Sequence, residues 1–128
     1  MNILIIDDHE SARWALTRML ENMDTNVCCA ANGREALELI DFRKIDLIFS
    51  DIQMPVMGGL EFARQLRASE PGPDIPLVFM SGEDPAYFEE SMQKLKPFGF
   101  APKPIEPETV RFFIRQVQMQ GYCDLVGS

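Results

Sequence analysis

The sequence predicts a single α/β domain, doubly wound as a (βα)5 sandwich, and two observations predict it. Short, nearly all-apolar runs alternate with amphipathic stretches along the whole chain, the pattern of a parallel sheet covered by helices on both faces. Several apolar runs also stop abruptly at a polar residue: Asp7, Asp51 and Ser81. Right-handed crossovers bring such strand ends to one edge of the sheet, and open sheets of this kind bind their ligands there.

Each element follows from its residues. Asn2 to Ile6 is a β-prone run that ends in Asp7-Asp8. From Ser11 to Met23, Ala12, Ala15, Leu16, Met19, Leu20 and Met23 recur at helical spacing. Val27 to Ala31 reads as a second strand, broken by Asn32-Gly33, and Arg34 to Phe42 as a helix with Ala36, Leu37 and Ile40 inward. Ile45 to Ser50 is a third strand stopping at Asp51. Gly58-Gly59 precedes a helix striped by Leu60, Phe62, Ala63 and Leu66, and Pro71-Gly72-Pro73 signals a loop. Ile75 to Met80 is the fourth strand, leading to Ser81-Gly82. Pro85 to Leu95 makes a fourth helix of weaker pattern, and Phe98 to Ala101 a short fifth strand. Pro107 suits the first turn of a last helix reaching about Met119, with Val110, Phe113, Ile114 and Val117 inward.

Composition narrows the class. A chain of 128 residues, 46% hydrophobic and 25% charged, fits one soluble domain, expected over residues 1–120 with a tail at 121–128. The formal net charge of -8 argues against direct nucleic-acid binding, which wants a basic stripe. No apolar run approaches the roughly 20 residues that span a membrane. The start lacks the basic segment and cleavage site of a signal peptide, so a cytoplasmic protein is expected. Cys28, Cys29 and Cys123 form neither a CxxC nor a Cys/His pattern and read as incidental thiols.

The chemistry concentrates at the carboxyl ends of the strands. The topology makes neighbours of Asp7, Asp8 and Asp51, and three carboxylates that close repel unless a cation or a proton joins them. Oxygen-only ligands, with no His or Cys among them, favour a hard ion such as magnesium. Ser81 after the fourth strand and Lys103 after the fifth add a hydroxyl and an ammonium. That combination points to phosphoryl transfer, with Asp51 as in-line nucleophile, Lys103 neutralising phosphoryl oxygens and Ser81 donating to one of them. The product is an acyl phosphate.

Asp7-Asp8, the run Asp51-Ile52-Gln53-Met54-Pro55-Val56-Met57-Gly58-Gly59, then Ser81-Gly82 and Lys103-Pro104 together resemble the receiver domain of bacterial response regulators. The resemblance covers Met1 to about Met119. It implies a flavodoxin-like, five-stranded parallel sheet of order 2-1-3-4-5 and a phosphorelay role as a switch rather than a turnover enzyme. It further implies Asp51 as phosphoacceptor and Mg2+ held by Asp8, Asp51 and the backbone carbonyl of Gln53, with Asp7 acting through water. Ser81 and Lys103 become the hydroxyl and basic partners, Phe100 the switch aromatic, and Lys103-Pro104 a cis peptide. The implied partners are a histidine kinase or phosphotransfer protein and a downstream protein target, with no membrane and a monomer or weak dimer. Three departures stand out: Lys96-Pro97 replaces the family's frequent Gly-Ala, Pro102 directly precedes Lys103 so that Pro97 to Pro107 carries four prolines, and Phe100 has no hydroxyl.

Blander readings exist for each residue. Asp7 and Asp8 could cap the first helix, Asp51 could sit in a turn, Ser81 and Lys103 could be ordinary surface groups, and Phe100 could simply pack. His9 reads as a loop residue and Trp14 as a first-helix residue whose default role is packing, with a partner surface as the alternative. Two other classes compete. A haloacid-dehalogenase-type phosphatase wants an acid two residues after its nucleophile, where this chain has Gln53. A flavodoxin-like cofactor binder wants a phosphate-cradling loop after the first strand, where Asp7-Asp8 repels phosphate. A receiver used only for docking, independent of phosphorylation, is the remaining alternative.

Overall fold

Five short strands, β1 (Asn2–Ile6), β2 (Asn26–Ala30), β3 (Leu47–Asp51), β4 (Leu77–Ser81) and β5 (Gly99–Pro102), form one parallel sheet in the order β2-β1-β3-β4-β5. The computed structural model describes residues 1–42, 44–69 and 75–125, so the expected loop at Pro71-Gly72-Pro73 lies outside the described residues. Five helices connect or follow the strands: α1 (Glu10–Leu20), α2 (Gly33–Phe42), α3 (Gly59–Ala68), α4 (Glu89–Leu95) and α5 (Pro107–Leu125).

The two-residue period of a strand sends alternate side chains to opposite faces, and the core divides accordingly. Leu4, Ile6, Ile48 and Phe79 pack with Ala36, Ile40, Phe62, Leu66 and Leu95 from α2, α3 and α4. Ile3, Ile5, Phe49 and Met80 pack with Leu16, Leu20, Val110 and Phe113 from α1 and α5. β1, β3 and β4 are interior strands, which is why their residues are apolar on both faces. Each buried aromatic such as Phe49, Phe62 or Phe79 contributes about 1.5–3 kcal/mol relative to exposure. Gly99 lets β5 approach α5, since a Cβ there would run into the Phe113 ring.

Several boundaries differ from the sequence pattern for identifiable reasons. α1 stops at Leu20 rather than Met23, because Asp24 turns left-handed (φ 54°) and the Thr25 hydroxyl donates to the Leu20 carbonyl at 2.9 Å. β4 begins at Leu77 rather than Ile75, after Pro76, which has no N–H to give the ladder. The expected fourth helix divides into a 3-10 turn at Pro85–Phe88 and α4. α4 ends where Lys96 turns left-handed (φ 49°) ahead of Pro97. α5 runs through Leu125, beyond the expected end near Met119 and into the segment read as a tail. Side chains of residues 121–125, Cys123 among them, and residues 126–128 lie outside the description. Among the described residues, no helix is long and apolar enough to cross a membrane.

Candidate functional site

Strand register builds the site. Ile6 lies opposite Ser50 in the β1–β3 ladder, so the next residues, Asp7 and Asp51, emerge side by side. Ser81 lies opposite Pro102 in the β4–β5 ladder, and the Lys103 N–H continues that ladder by donating to the Ser81 carbonyl at 2.9 Å. The Lys103-Pro104 bond is cis, as the family resemblance implied. Four positions as much as 96 residues apart thus meet at one sheet edge because each ends or follows an apolar strand.

Lys103 joins the two buried acids. Its Nζ donates to Asp7 Oδ2 at 2.8 Å and lies 3.3 Å from Asp51 Oδ2. Asp7 is held on both sides of its peptide: its N–H donates to the Ala30 carbonyl at 3.1 Å, and its carbonyl accepts from the Arg13 guanidinium at 2.7 Å. Asp51 Oδ1 accepts the Ile52 N–H at 2.9 Å. Asp51 is 7% exposed and Asp7 1%, so both carboxylates depend on these donors in place of water.

Burial pushes the Asp51 carboxyl above its ordinary range and the Asp7 charge adds to that, while Lys103 and the Ile52 N–H pull it back. For Lys103, burial works against the ammonium, but the hydrogen bond to Asp7 and the charges of Asp7 and Asp51 outweigh it and hold the amine above its usual value. Lys103 is therefore a fixed positive charge at neutral pH.

One ammonium does not balance the group. Asp7, Asp8 and Asp51 carry three carboxylates against one Lys103, a formal deficit of two charges. Asp8 Oδ1 is buried and accepts no hydrogen bond among the described residues, an uncompensated cost of about 1–3 kcal/mol or more. Ligand atoms from Asp7, Asp8, His9 and Asp51 all lie within 4.8 Å of one another. Charge, spacing and the unpaired oxygen all fit a divalent cation, and the oxygen donors fit a hard one.

The other expected residues fall into two groups. Ser81 ends β4 beside the acids, 4% exposed, its Oγ accepting the Glu83 N–H at 3.0 Å. Gln53 is exposed in the β3–α3 loop. Phe100 stands away from the acids, opposite Phe79 in the β4–β5 ladder and half-buried against the α2–α4 side of the core. Trp14 is 64% exposed on α1 with the Arg18 guanidinium 5.3 Å over its ring.

Three features escaped the sequence reading. His9 is not a bystander in a loop: its Nδ1 lies 3.3 Å from both Asp7 Oδ1 and Asp8 Oδ1. Arg13 fixes the Asp7 backbone, and Val56 adopts φ 69° in the loop after Asp51. The i, i+6 spacing of Asp7 and Arg13 was a usable signal only once the start of α1 was known.

The fold is a parallel sheet with a buried acid at the end of its middle strand, flanked by an acidic pair and a lysine. Residues 3–115 match the family model for the response regulator receiver domain, and the chain belongs to that family. Response regulator GacA of Pseudomonas aeruginosa is 33% identical over 119 residues, 91% of this chain and 55% of that one. The structure of chemotaxis protein CheY4 of Vibrio cholerae superposes with a TM-score of 0.85 at 30% identity, over 91% of this chain and 97% of that one. A sensor-kinase receiver domain from Pseudomonas aeruginosa, solved with magnesium in its active-site cleft, shares the fold at a TM-score of 0.82 and 21% identity, covering 90% and 94%. The chain spans 9% to 56% of the length of the curated relatives it matches. The chain is a receiver domain of the two-component type, with the phosphorelay role of that family, and the phosphatase and flavodoxin readings lapse.

Proposed function

We propose that Asp51 accepts a phosphoryl group from a phosphohistidine on a histidine kinase or phosphotransfer protein, and that the added charge switches a protein-binding surface. The observation that carries this reading is the placement of Lys103 Nζ between Asp7 and Asp51, in the carboxylate cluster that Asp8 completes. An Asp51 carboxylate oxygen attacks phosphorus in line, the phosphorus–nitrogen bond breaks, and the departing imidazole takes up a proton from solvent. Asp8, Asp51 and the Gln53 carbonyl would hold Mg2+, with Asp7 acting through water, and the ion would supply positive charge to the phosphoryl oxygens.

The chain's own residues do the rest. Lys103 keeps its ammonium aimed at the acceptor and neutralises charge as the phosphoryl group arrives. The Ser81 hydroxyl accepts from Glu83, and that bond leaves its proton available to a phosphoryl oxygen. Drawing Ser81 toward the phosphate shifts the loop after β4 and lets Phe100, half-buried opposite Phe79 in the neighbouring strand, repack. This is a two-state shift biased by charge. The downstream target would read the face made by α4, β5 and α5. Such a molecule acts as a switch, without turnover of a separate substrate.

Borohydride reduction of the phosphorylated protein converts an aspartyl phosphate to homoserine, and peptide mapping then reads the acceptor. The expected position is 51; homoserine at 7 or 8, or label on Ser81, would displace this reading.

A further inference from the structure

We propose that His9 Nδ1 is a ligand of the acidic cation site and gives it a preference for divalent ions that take nitrogen, nickel before magnesium. The inference rests on the reading of Asp8 and Asp51 as metal ligands, and adds a residue which that reading does not use.

The geometry is specific. Nδ1 stands 3.3 Å from Asp7 Oδ1 and also 3.3 Å from Asp8 Oδ1. A committed charge-assisted hydrogen bond is shorter, about 2.7–2.9 Å, and favours one acceptor. Adjacent ligand atoms around an octahedral ion with bonds of about 2.1 Å are about 3.0 Å apart, close to the separation from Asp8 Oδ1, the carboxylate read as a direct ligand. The nearer acid oxygen on the Asp8 side is the buried atom that accepts no hydrogen bond, so Nδ1 does not satisfy it as a donor.

The imidazole is held only by one long hydrogen-bond contact, Nδ1 to Asp7 Oδ1 at 3.3 Å. His9 stands at the N-cap of α1 and makes no side-chain capping bond. Its side chain is 68% exposed, so it is not a core residue. Its backbone N–H donates to Asp7 Oδ1 at 2.9 Å, which fixes the His9 backbone against the same carboxylate its ring faces. Three carboxylates alone favour hard ions, whereas an added imidazole raises affinity most for ions high in the Irving–Williams order. Zinc is a poor probe because Cys29 is exposed and free.

The test measures Ni2+ and Mg2+ affinities by titration calorimetry for wild type and His9→Ala, at about pH 8 because metal affinity depends on pH, with thiols blocked. Pulsed EPR of the Mn2+-loaded proteins reads nitrogen coupling directly. The expected result is a loss of roughly tenfold or more in Ni2+ affinity, a change below about twofold for Mg2+, and a nitrogen coupling that His9→Ala abolishes. Equal strengthening of both ions in His9→Ala would make His9 a resident counter-charge and overturn the proposal. Unchanged Ni2+ affinity would overturn it too. Wild type that binds Ni2+ through His9 but takes no Mg2+ would instead keep the ligand and refute the magnesium-dependent reading of Asp51.

Discussion

Lys103 Nζ bridges Asp7 and Asp51, 2.8 Å from one carboxylate and 3.3 Å from the other, at the junction of three parallel strands. The lysine is the counter-ion of two acids that are almost wholly out of water. Stability and reactivity are coupled through that one side chain.

Lys103→Ala is expected to lower metal-free stability at neutral pH by on the order of 1–3 kcal/mol, since it strands two buried charges. Adding Asp51→Asn should recover part of the loss, because the two side chains share one interaction. Denaturant midpoints of the four proteins in the cycle check this; strictly additive effects would dissolve the coupling.

Asp51 carries a pH signature of its own. Its carboxyl is raised above 3.8 in the fold, mainly by burial. The folded chain therefore holds this proton more tightly than the unfolded chain does. Stability contributed at this position falls as pH climbs from the unfolded value through the folded one, and the cost is complete above both. Asp51→Asn should thus melt higher than wild type at neutral pH without metal, and the gap should close as pH drops toward 3.8. A gap that grows toward acid would contradict the sign.

Gly59 begins α3 directly against the acceptor. Its N–H donates to the Ile52 carbonyl at 2.8 Å, and a Cβ would collide with the Asp51 carbonyl oxygen. Gly59→Ala should cost more than about 2 kcal/mol and slow acceptor chemistry, since backbone must move. Gly82→Ala, where a Cβ meets nothing within 4 Å, is the control and should be near neutral in melting.

Val56 holds φ 69° although it is β-branched and 76% exposed, a conformation that costs about 1–3 kcal/mol. Val56→Gly relieves it at a loss of about 0.5–1 kcal/mol in unfolded-chain entropy. A higher melting temperature is expected, and a lower one would mean that the valine side chain makes a compensating contact.

The strands and their polar ends were legible because a buried parallel strand tolerates few polar residues, so Asp7, Asp51 and Ser81 stood out against the apolar runs before them. Lys103 was legible through its place after β5. The orientation of His9 was not, because it depends on the backbone path between β1 and α1, where no periodicity constrains the side chain. The split of the fourth helix escaped for a related reason: Asp84 accepts the Ala86 N–H at 2.9 Å and starts a 3-10 turn that hydrophobic spacing does not distinguish from a first α turn. α5 outran its expected end because the apolar pattern fades after Val117 while the backbone remains helical past Gly121 to Leu125.

The central claim is that Asp51 is the phosphoacceptor. Intact mass after incubation with magnesium and acetyl phosphate tests it most directly, for wild type beside Asp51→Asn. The account predicts one phosphoryl adduct on wild type, absent with EDTA and absent from the variant. An equal adduct on folded Asp51→Asn would contradict it and place the acceptor elsewhere.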